Sequence, residues 1–306
     1  MCKRLRIWSF VPLGSLLTST SLLTEGVITM TTSKAVGETS SLGIEANGNV
    51  TIEGAQEVGQ ANDYGRRYYT IESQTITIRG DVTELNCSWN QLTSLDVSGS
   101  SSLRTLDCSY NELTSLDLSQ NAALATLWCS YNQLSSLNAS KASALTELSC
   151  NNNQVTSLDV SGCTALTYLY CFSNQLTSLD LPKSTALEIL YCSENQLTSL
   201  DVSKNTALYE LYCNDNKLTN LDISGCARLT IIGCYSNYIK GKAMTKLVNS
   251  LPNRRGKSSG TIVIVDRSSK KRDENSCSTA DVTTAKKKNW EVQKYEPSGW
   301  VSYSGD

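Results

Sequence analysis

Histidine is absent from the 306-residue chain. That removes the commonest general base and the commonest metal ligand together. Proline occurs four times and phenylalanine twice. An excess of charge is also missing: 27 Lys and Arg stand against 29 Asp and Glu, a formal net charge of −2. No global attraction to nucleic acid follows from that balance. Hydrophobic residues make 40% and charged residues 18%, too apolar for a disordered polymer and too polar for a multi-span membrane protein. There is no P-loop, no G-x-G-x-x-G and no Ser-His arrangement. The sequence therefore predicts no enzyme, no catalytic residue and no cofactor.

Cysteine, by contrast, occurs twelve times. Eight of these sit at a fixed step of 21 residues: Cys87, Cys108, Cys129, Cys150, Cys171, Cys192, Cys213 and Cys234. An asparagine follows each by three, from Asn90 to Asn237, and a leucine or isoleucine precedes each by two, from Leu85 to Ile232. Further apolar ladders run from Leu92 to Ile239 and from Leu95 to Leu221. The unit reads L-x-x-L-x-C-x-x-N-x-L-T-S-L-D-V-S-x-x-x-x, the pattern of a leucine-rich repeat. The fold expected is a leucine-rich-repeat solenoid with a parallel β-sheet on its concave face.

Each ladder has its own physical reason. In a short strand alternate side chains face opposite ways, so Leu85 and Cys87 point into the coil and Glu84, Asn86 and Ser88 point out. One coil cannot bury its own apolar edge, so coils stack. Asparagine at the turn can satisfy backbone groups left unpaired inside the stack. The aspartates that follow leucines of the Leu95 to Leu221 ladder (Asp96, Asp117, Asp159, Asp180, Asp201 and Asp222), in L-D-x-S at all but Asp180, suit a short turn where the carboxylate accepts nearby N–H groups. The cysteines invite a metal or disulfide reading. No C-x-x-C pair is present, and adjacent rungs point the same way rather than at each other. Packing as small hydrophobes is the expectation, with no metal site.

The ends depart from the beat. Residues 1–26 carry Lys3, Arg4 and Arg6 and then a moderately apolar stretch, as a secretory signal peptide does. Residues 27–81 read as a β cap, with Asn47-Gly48 suggesting a hairpin between alternating segments. Residues 82–242 hold eight repeats. Residues 243–306 read as an α/β cap: Met244, Leu247, Val248 and Leu251 share one helical face, Thr261–Val265 is a strand, Thr279–Lys288 a second helix, and Trp290 begins another strand. Charge divides along the chain. Residues 82–242 hold 8 Lys and Arg against 14 Asp and Glu, whereas residues 243–306 hold 12 against 7. The runs Lys270-Lys271-Arg272 and Lys286-Lys287-Lys288 read as solvated surface at a loop and a helix end.

Counting each unit from its first leucine, the third, fifth, seventh and eighth residues are placed on the concave side. Trp89, Tyr110, Trp128, Tyr131, Tyr168, Tyr170, Phe172, Tyr191, Tyr212 and Tyr235 all fall there. Tyr170, Tyr191 and Tyr212 would stand on three consecutive strands, about 10 Å end to end. Tyrosine and tryptophan are enriched where one protein grips another, and flat aromatic rows also suit sugar rings. Cross-strand pairing alone can also favour aromatics on a sheet. Glu84, Asp107, Glu147, Glu194, Glu210 and Asp215 share this face and favour a ligand with positive charge or many hydroxyls.

The repeat resembles that of the internalin-related leucine-rich-repeat proteins of Bacteroidetes such as Porphyromonas and Bacteroides. The match covers residues 82–242. The flanks, Thr31-Thr32-Ser33-Lys34-Ala35-Val36-Gly37 and Ala285-Lys286-Lys287-Lys288-Asn289-Trp290, look similar as well. The resemblance implies a secreted or cell-surface (outer-membrane) protein linked to adhesion, biofilm formation and host contact. The expected partner is a protein on a host or bacterial surface, with a glycan as an alternative and no nucleic acid or small-molecule cofactor. An intracellular interaction scaffold would also suit a core of unpaired cysteines; the basic, apolar leader argues against it.

Overall fold

The computed structural model describes residues 26–62, 65–181, 185–267 and 273–305. The signal-peptide reading of residues 1–26 and the Lys270-Lys271-Arg272 run lie essentially outside the described residues. The N-terminal segment contributes β1 (Val27–Thr32), β2 (Thr39–Ala46), β3 (Thr51–Glu53), β4 (Ala55–Val58), β5 (Arg67–Ile71) and β6 (Thr75–Arg79). The repeats contribute β7 (Val82–Asn86), β8 (Leu92–Asp96), β9 (Thr105–Asp107), β10 (Thr126–Trp128), β11 (Ser136–Asn138), β12 (Glu147–Ser149), β13 (Ser157–Asp159), β14 (Tyr168–Tyr170), β15 (Ile189–Tyr191), β16 (Glu210–Tyr212) and β17 (Ile231–Gly233). The C-terminal segment holds α1 (Lys242–Ser250), β18 (Gly260–Asp266), α2 (Thr279–Lys287), β19 (Trp290–Glu296) and β20 (Gly299–Ser302).

Eight repeat strands pair in parallel, and their leucines align rung to rung from Leu85 through Leu106, Leu127, Leu148, Leu169, Leu190 and Leu211 to Ile232. All eight leucine or isoleucine rungs and all eight cysteines are buried. This is the leucine-rich-repeat solenoid. The opposite wall is thinner, with β11 paired to β13 and a single bridge between Asp201 and Asp222.

The eleven cysteines of the described region are buried, and the eight of the ladder form no disulfide. Burial pushes the ladder thiols up, to about 12 at Cys150 and Cys213, so they pack as neutral side chains. Cys163 and Cys226 lie outside the ladder, where each Sγ donates to a carbonyl of the coil before, at 3.2 Å to Ala139 and 3.4 Å to Val202.

The asparagine ladder joins neighbouring coils. Asn111 Nδ2 donates to the carbonyls of Cys108 and Cys87 at 3.0 and 3.1 Å, while its Oδ1 accepts from Leu92 N–H at 2.9 Å. The same three contacts recur at Asn132, Asn153, Asn174, Asn195, Asn216 and Asn237. Each asparagine thus pairs a backbone N–H of the coil before it and two cysteine carbonyls, and successive asparagines share a carbonyl between them, as Asn111 and Asn132 share Cys108 O. The L-D-x-S aspartates act as expected: Asp96, Asp117, Asp159, Asp201 and Asp222 each accept from the serine N–H two residues on.

The two ends are closed differently. At the N-terminal end β2 runs antiparallel to β7, and β1 runs antiparallel to both β8 and β6. Ser41 takes the place of a preceding coil for Asn90: its N–H donates to Asn90 Oδ1 at 3.0 Å and its carbonyl accepts from Asn90 Nδ2 at 2.8 Å. The expected Asn47-Gly48 hairpin does not form. β2 and β3 go to different sheets, β2 to β5 and β7 and β3 to β6, because the segment must reach both walls of the first coil. At the C-terminal end β18 and β19 extend the sheet in parallel, and β20 folds back antiparallel. Met244, Leu247, Val248 and Leu251 are buried as the helical spacing requires. Lys288, read from sequence as solvated, donates to the carbonyls of Asn249 and Leu251 at the end of α1, and Arg255 Nε donates to Lys287 O at the end of α2.

Candidate binding face

The ten aromatics picked out by position do not form one row. The structure separates them into three groups by backbone geometry. Trp128, Tyr168, Tyr170, Tyr191 and Tyr212 lie on strands of the concave sheet. Phe172 and Tyr235 occupy the seventh position, just past the strands. Trp89, Tyr110 and Tyr131 occupy the eighth position, where every repeat takes the left-handed conformation, with φ from 51° to 63°. That position is a turn, so its side chains project from the rim. The seventh position is mostly a buried polar seam. Ser88, expected to point out, is buried because the strand ends at Asn86; its hydroxyl meets Asn86 Oδ1 at 2.8 Å.

The rim group is a stack. Trp89 and Tyr110 have ring centroids 3.9 Å apart and Tyr110 and Tyr131 4.3 Å, with interplanar angles of 10° and 9°. The 21-residue period brings identical turns close together, so the rings lie face to face. Trp89 keeps 64% of its surface exposed.

The strand group is a herringbone. Tyr191 meets Tyr170 edge to face at 5.2 Å and Tyr212 at 4.9 Å. All three are half-buried. Tyr191 Oη donates to Glu210 Oε1 at 2.6 Å, and burial with that bond pushes its hydroxyl well above the ordinary tyrosine range. Tyr212 lies over the next coil, where position five is Gly233; a Cβ there would stand 2.5 Å from Tyr212 Cδ1. Trp128 Nε1 donates to Glu147 Oε1 at 2.8 Å. The expected flat row is therefore a set of tilted rings, whose middle member Tyr191 is bonded to a carboxylate on the following coil, as Trp128 is.

Three regions of this face are hollowed. One, of about 370 Å³, is lined by Phe172, Tyr191, Ser193, Glu194, Tyr212 and Asn214. A second, of about 320 Å³, is lined by Trp89, Tyr110 and Tyr131 of the rim with Asp107 and Trp128. A third, of about 220 Å³, includes Glu84, Asp107 and Trp128 and is also lined by Arg66 of the N-terminal segment. The Arg66 guanidinium donates to Ser88 Oγ, Ser88 O and Ser41 O. A larger space of about 560 Å³ lies between the N-terminal strands, away from the repeats.

Sequence reasoning missed the aromatics of the C-terminal hairpin. Trp300 stands 5.8 Å from Tyr235 and 4.5 Å from Tyr295, and is half-exposed. These residues follow the last repeat, where the 21-residue ruler no longer assigns a position. Among the described residues no three His, Cys, Asp or Glu side chains converge to hold a metal ion. No helix among them is long and apolar enough to cross a membrane.

Comparison with known proteins agrees with this architecture. The family model for leucine-rich repeats in two copies matches residues 143–184 and 164–205. The functional domain of InlJ from Listeria monocytogenes, described as including a cysteine ladder, is 32% identical over 69% of this chain and 43% of that one, with a TM-score of 0.56. The leucine-rich-repeat domain of APL1B is 23% identical over 66% of this chain and 59% of that one, with a TM-score of 0.52. An internalin, InlF, also from Listeria monocytogenes, is 17% identical over 69% and 66%, with a TM-score of 0.46. No curated protein matches the chain. The fold and its ladders are those of a leucine-rich-repeat solenoid, and the chain is similar to the InlJ domain, an internalin structure with a cysteine ladder of its own. The chain spans 43% of the InlJ chain that it resembles.

Proposed function

We propose that this is a non-enzymatic binding protein that grips a protein partner through the concave aromatic face. The carrying observation is the herringbone of Tyr170, Tyr191 and Tyr212, half-exposed on three consecutive strands. A folded core does not require tyrosine at these positions, since the buried rungs are the leucines beside them. Large rings with a polar tip, held rigid by neighbours, lose little entropy on contact. Leucine-rich repeats in general mediate protein–protein interaction, which supports the reading. The glycan alternative is the weaker one: in both aromatic groups the rings meet one another by face or edge, leaving few flat faces for a sugar.

The setting of this binding is an exported or cell-surface protein acting in adhesion, in host contact or biofilm. The basic, apolar leader and the resemblance of repeat and flanks to Bacteroidetes internalin-related proteins support it. The N-terminal β segment and the C-terminal α/β segment act in this reading as caps that keep the end coils dry.

A pull-down tests the proposal. The chain would be offered to host-cell and bacterial surface extracts beside the Tyr170→Ala/Tyr191→Ala/Tyr212→Ala variant. Capture of a surface protein by the parent and not by the variant is expected. Equal capture by both would move the site off this face.

A further inference from the structure

The concave side holds two aromatic seats, each ringed by carboxylates. Over the eight repeats, the third, fifth, seventh and eighth positions comprise 32 residues; six are Asp or Glu and none is Lys or Arg. The six fall into two groups. Glu84, Asp107 and Glu147 lie about Trp128, and Glu194 and Glu210 lie about Tyr191 and Tyr212, with Asp215 on the neighbouring rim turn near Tyr235. Among the described residues none of the six is ion-paired with a lysine or arginine. Arg66 lines the same hollow as Glu84, Asp107 and Trp128 and feels the charge of Asp107, but its guanidinium is hydrogen-bonded to Ser41 and Ser88. A face so one-sided in charge is selective: it repels acidic surfaces and attracts basic ones.

From this charge and spacing we infer that the partner presents an extended, arginine-bearing polypeptide segment to the concave face, one guanidinium to each seat. Arginine fits better than lysine. Its planar head takes a carboxylate through paired N–H groups, and each seat offers a carboxylate beside its ring, Glu147 at Trp128 and Glu210 at Tyr191. The spacing is set by the sheet. Trp128 and Tyr191 occupy the same position three coils apart, about 14 Å at the usual strand separation. An extended chain covers that distance in about four residues, and residues four apart point to the same side. The segment is therefore Arg-x-x-x-Arg in extended form, lying across the strands. The inference rests on the concave face being the binding surface and names the chemistry of what it holds.

Binding of fluorescent nine-residue peptides to the full chain, followed by anisotropy at low and high salt, tests this. One peptide carries two arginines four residues apart in a Gly-Ser background. A second has the same composition with the arginines adjacent. The spaced peptide should bind about tenfold tighter, and added salt should weaken it. Glu147→Gln with Glu210→Gln should remove that preference while leaving the melting temperature close to the parent's. Asp159→Asn, on the opposite wall, should change neither. Equal binding of the two peptides, or no loss in the double variant, overturns the inference. Tyrosine-dependent capture of a surface protein that ignores both glutamates would overturn it while leaving the proposed adhesive function standing. Failure of the triple tyrosine variant to lose its partner would remove that function instead.

Discussion

Asn275 stands to Ile239 as each ladder asparagine stands to the leucine of the coil before it. Its Oδ1 accepts from Ile239 N–H at 2.7 Å, and its Nδ2 donates to Cys234 O and Ile264 O, both at 2.8 Å. In chain distance it is 38 residues beyond Asn237, not 21. The C-terminal segment therefore continues two ladders with a new connection: Ile264 fills the place of a cysteine and Asn275 that of an asparagine. Asn275→Leu should leave the Ile239 amide and the Ile264 carbonyl without this side-chain partner in the end of the stack, while Cys234 O keeps its bond from Asn237. Each such group costs about 1–3 kcal/mol, so a loss of roughly 2 kcal/mol or more is expected in chemical denaturation. Loss of less than about 1 kcal/mol would mean that water reaches this end.

How much of this was legible follows from where the repeat holds. The leucine, cysteine and asparagine ladders recur in one environment, so their period alone placed Leu85, Cys87 and Asn90. The aspartates were legible for the same reason. The eighth position was not, because Trp89, Tyr110 and Tyr131 carry no sign of a left-handed turn. The signal lay in the whole column, since Asn152 and Asp215, residues that tolerate that conformation, share the position. The tilt of the tyrosines depends on Gly233 in the coil after Tyr212, a relation across coils that no single repeat displays. Asn47-Gly48 misled because a local turn signal says nothing about which sheet each flank joins. Asn275 was hidden by the change of beat.

The buried thiols make stability fall at high pH. Burial raises Cys150 and Cys213 to about 12, whereas an unfolded thiol ionises near 8.5. The folded chain then holds protons that the unfolded chain releases. This stabilisation is complete below about pH 8 and declines as pH rises toward 12. Denaturant titrations at pH 8 and pH 10 measure it. Replacing Cys150 and Cys213 by Ala should make the decline shallower by up to about 1.4 kcal/mol per pH unit for each thiol. The ladder should also resist iodoacetamide at pH 8 until the chain unfolds. Labelling of folded protein at several cysteines would contradict the burial.

The contact of Tyr212 with Gly233 predicts a suppressor. Gly233→Ala puts a methyl group 2.5 Å from Tyr212 Cδ1, so the ring must leave its place beside Tyr191. Overpacking of this kind costs about 1–3 kcal/mol. Tyr212→Ala in the same chain removes the obstacle, and the double variant should recover most of the loss. A double-mutant cycle by thermal denaturation checks this, with a coupling near zero as the result that would refute the contact. Partner capture should weaken in Gly233→Ala even where the protein remains folded, because the herringbone is broken.

The left-handed turns predict one substitution that strengthens the fold. Ser236 holds φ at 51°, and its Oγ is buried without a hydrogen-bond partner. Its backbone N–H donates to Asp273 Oδ2 at 2.7 Å, a bond that glycine keeps. Ser236→Gly therefore removes backbone strain and an orphaned hydroxyl together, against the added freedom of the unfolded chain. A gain of about 0.5–1.5 kcal/mol is expected in urea denaturation. Ser173→Gly should gain less: φ is 52°, but the Ser173 hydroxyl donates to Glu194 Oε2 at 2.7 Å. Tyr110→Gly relieves the same strain and yet should destabilise, because Tyr110 is the middle ring of the rim stack and touches both Trp89 and Tyr131. If all three substitutions moved stability in one direction, backbone strain alone would govern the turn and the ring stack would contribute nothing to holding adjacent coils together.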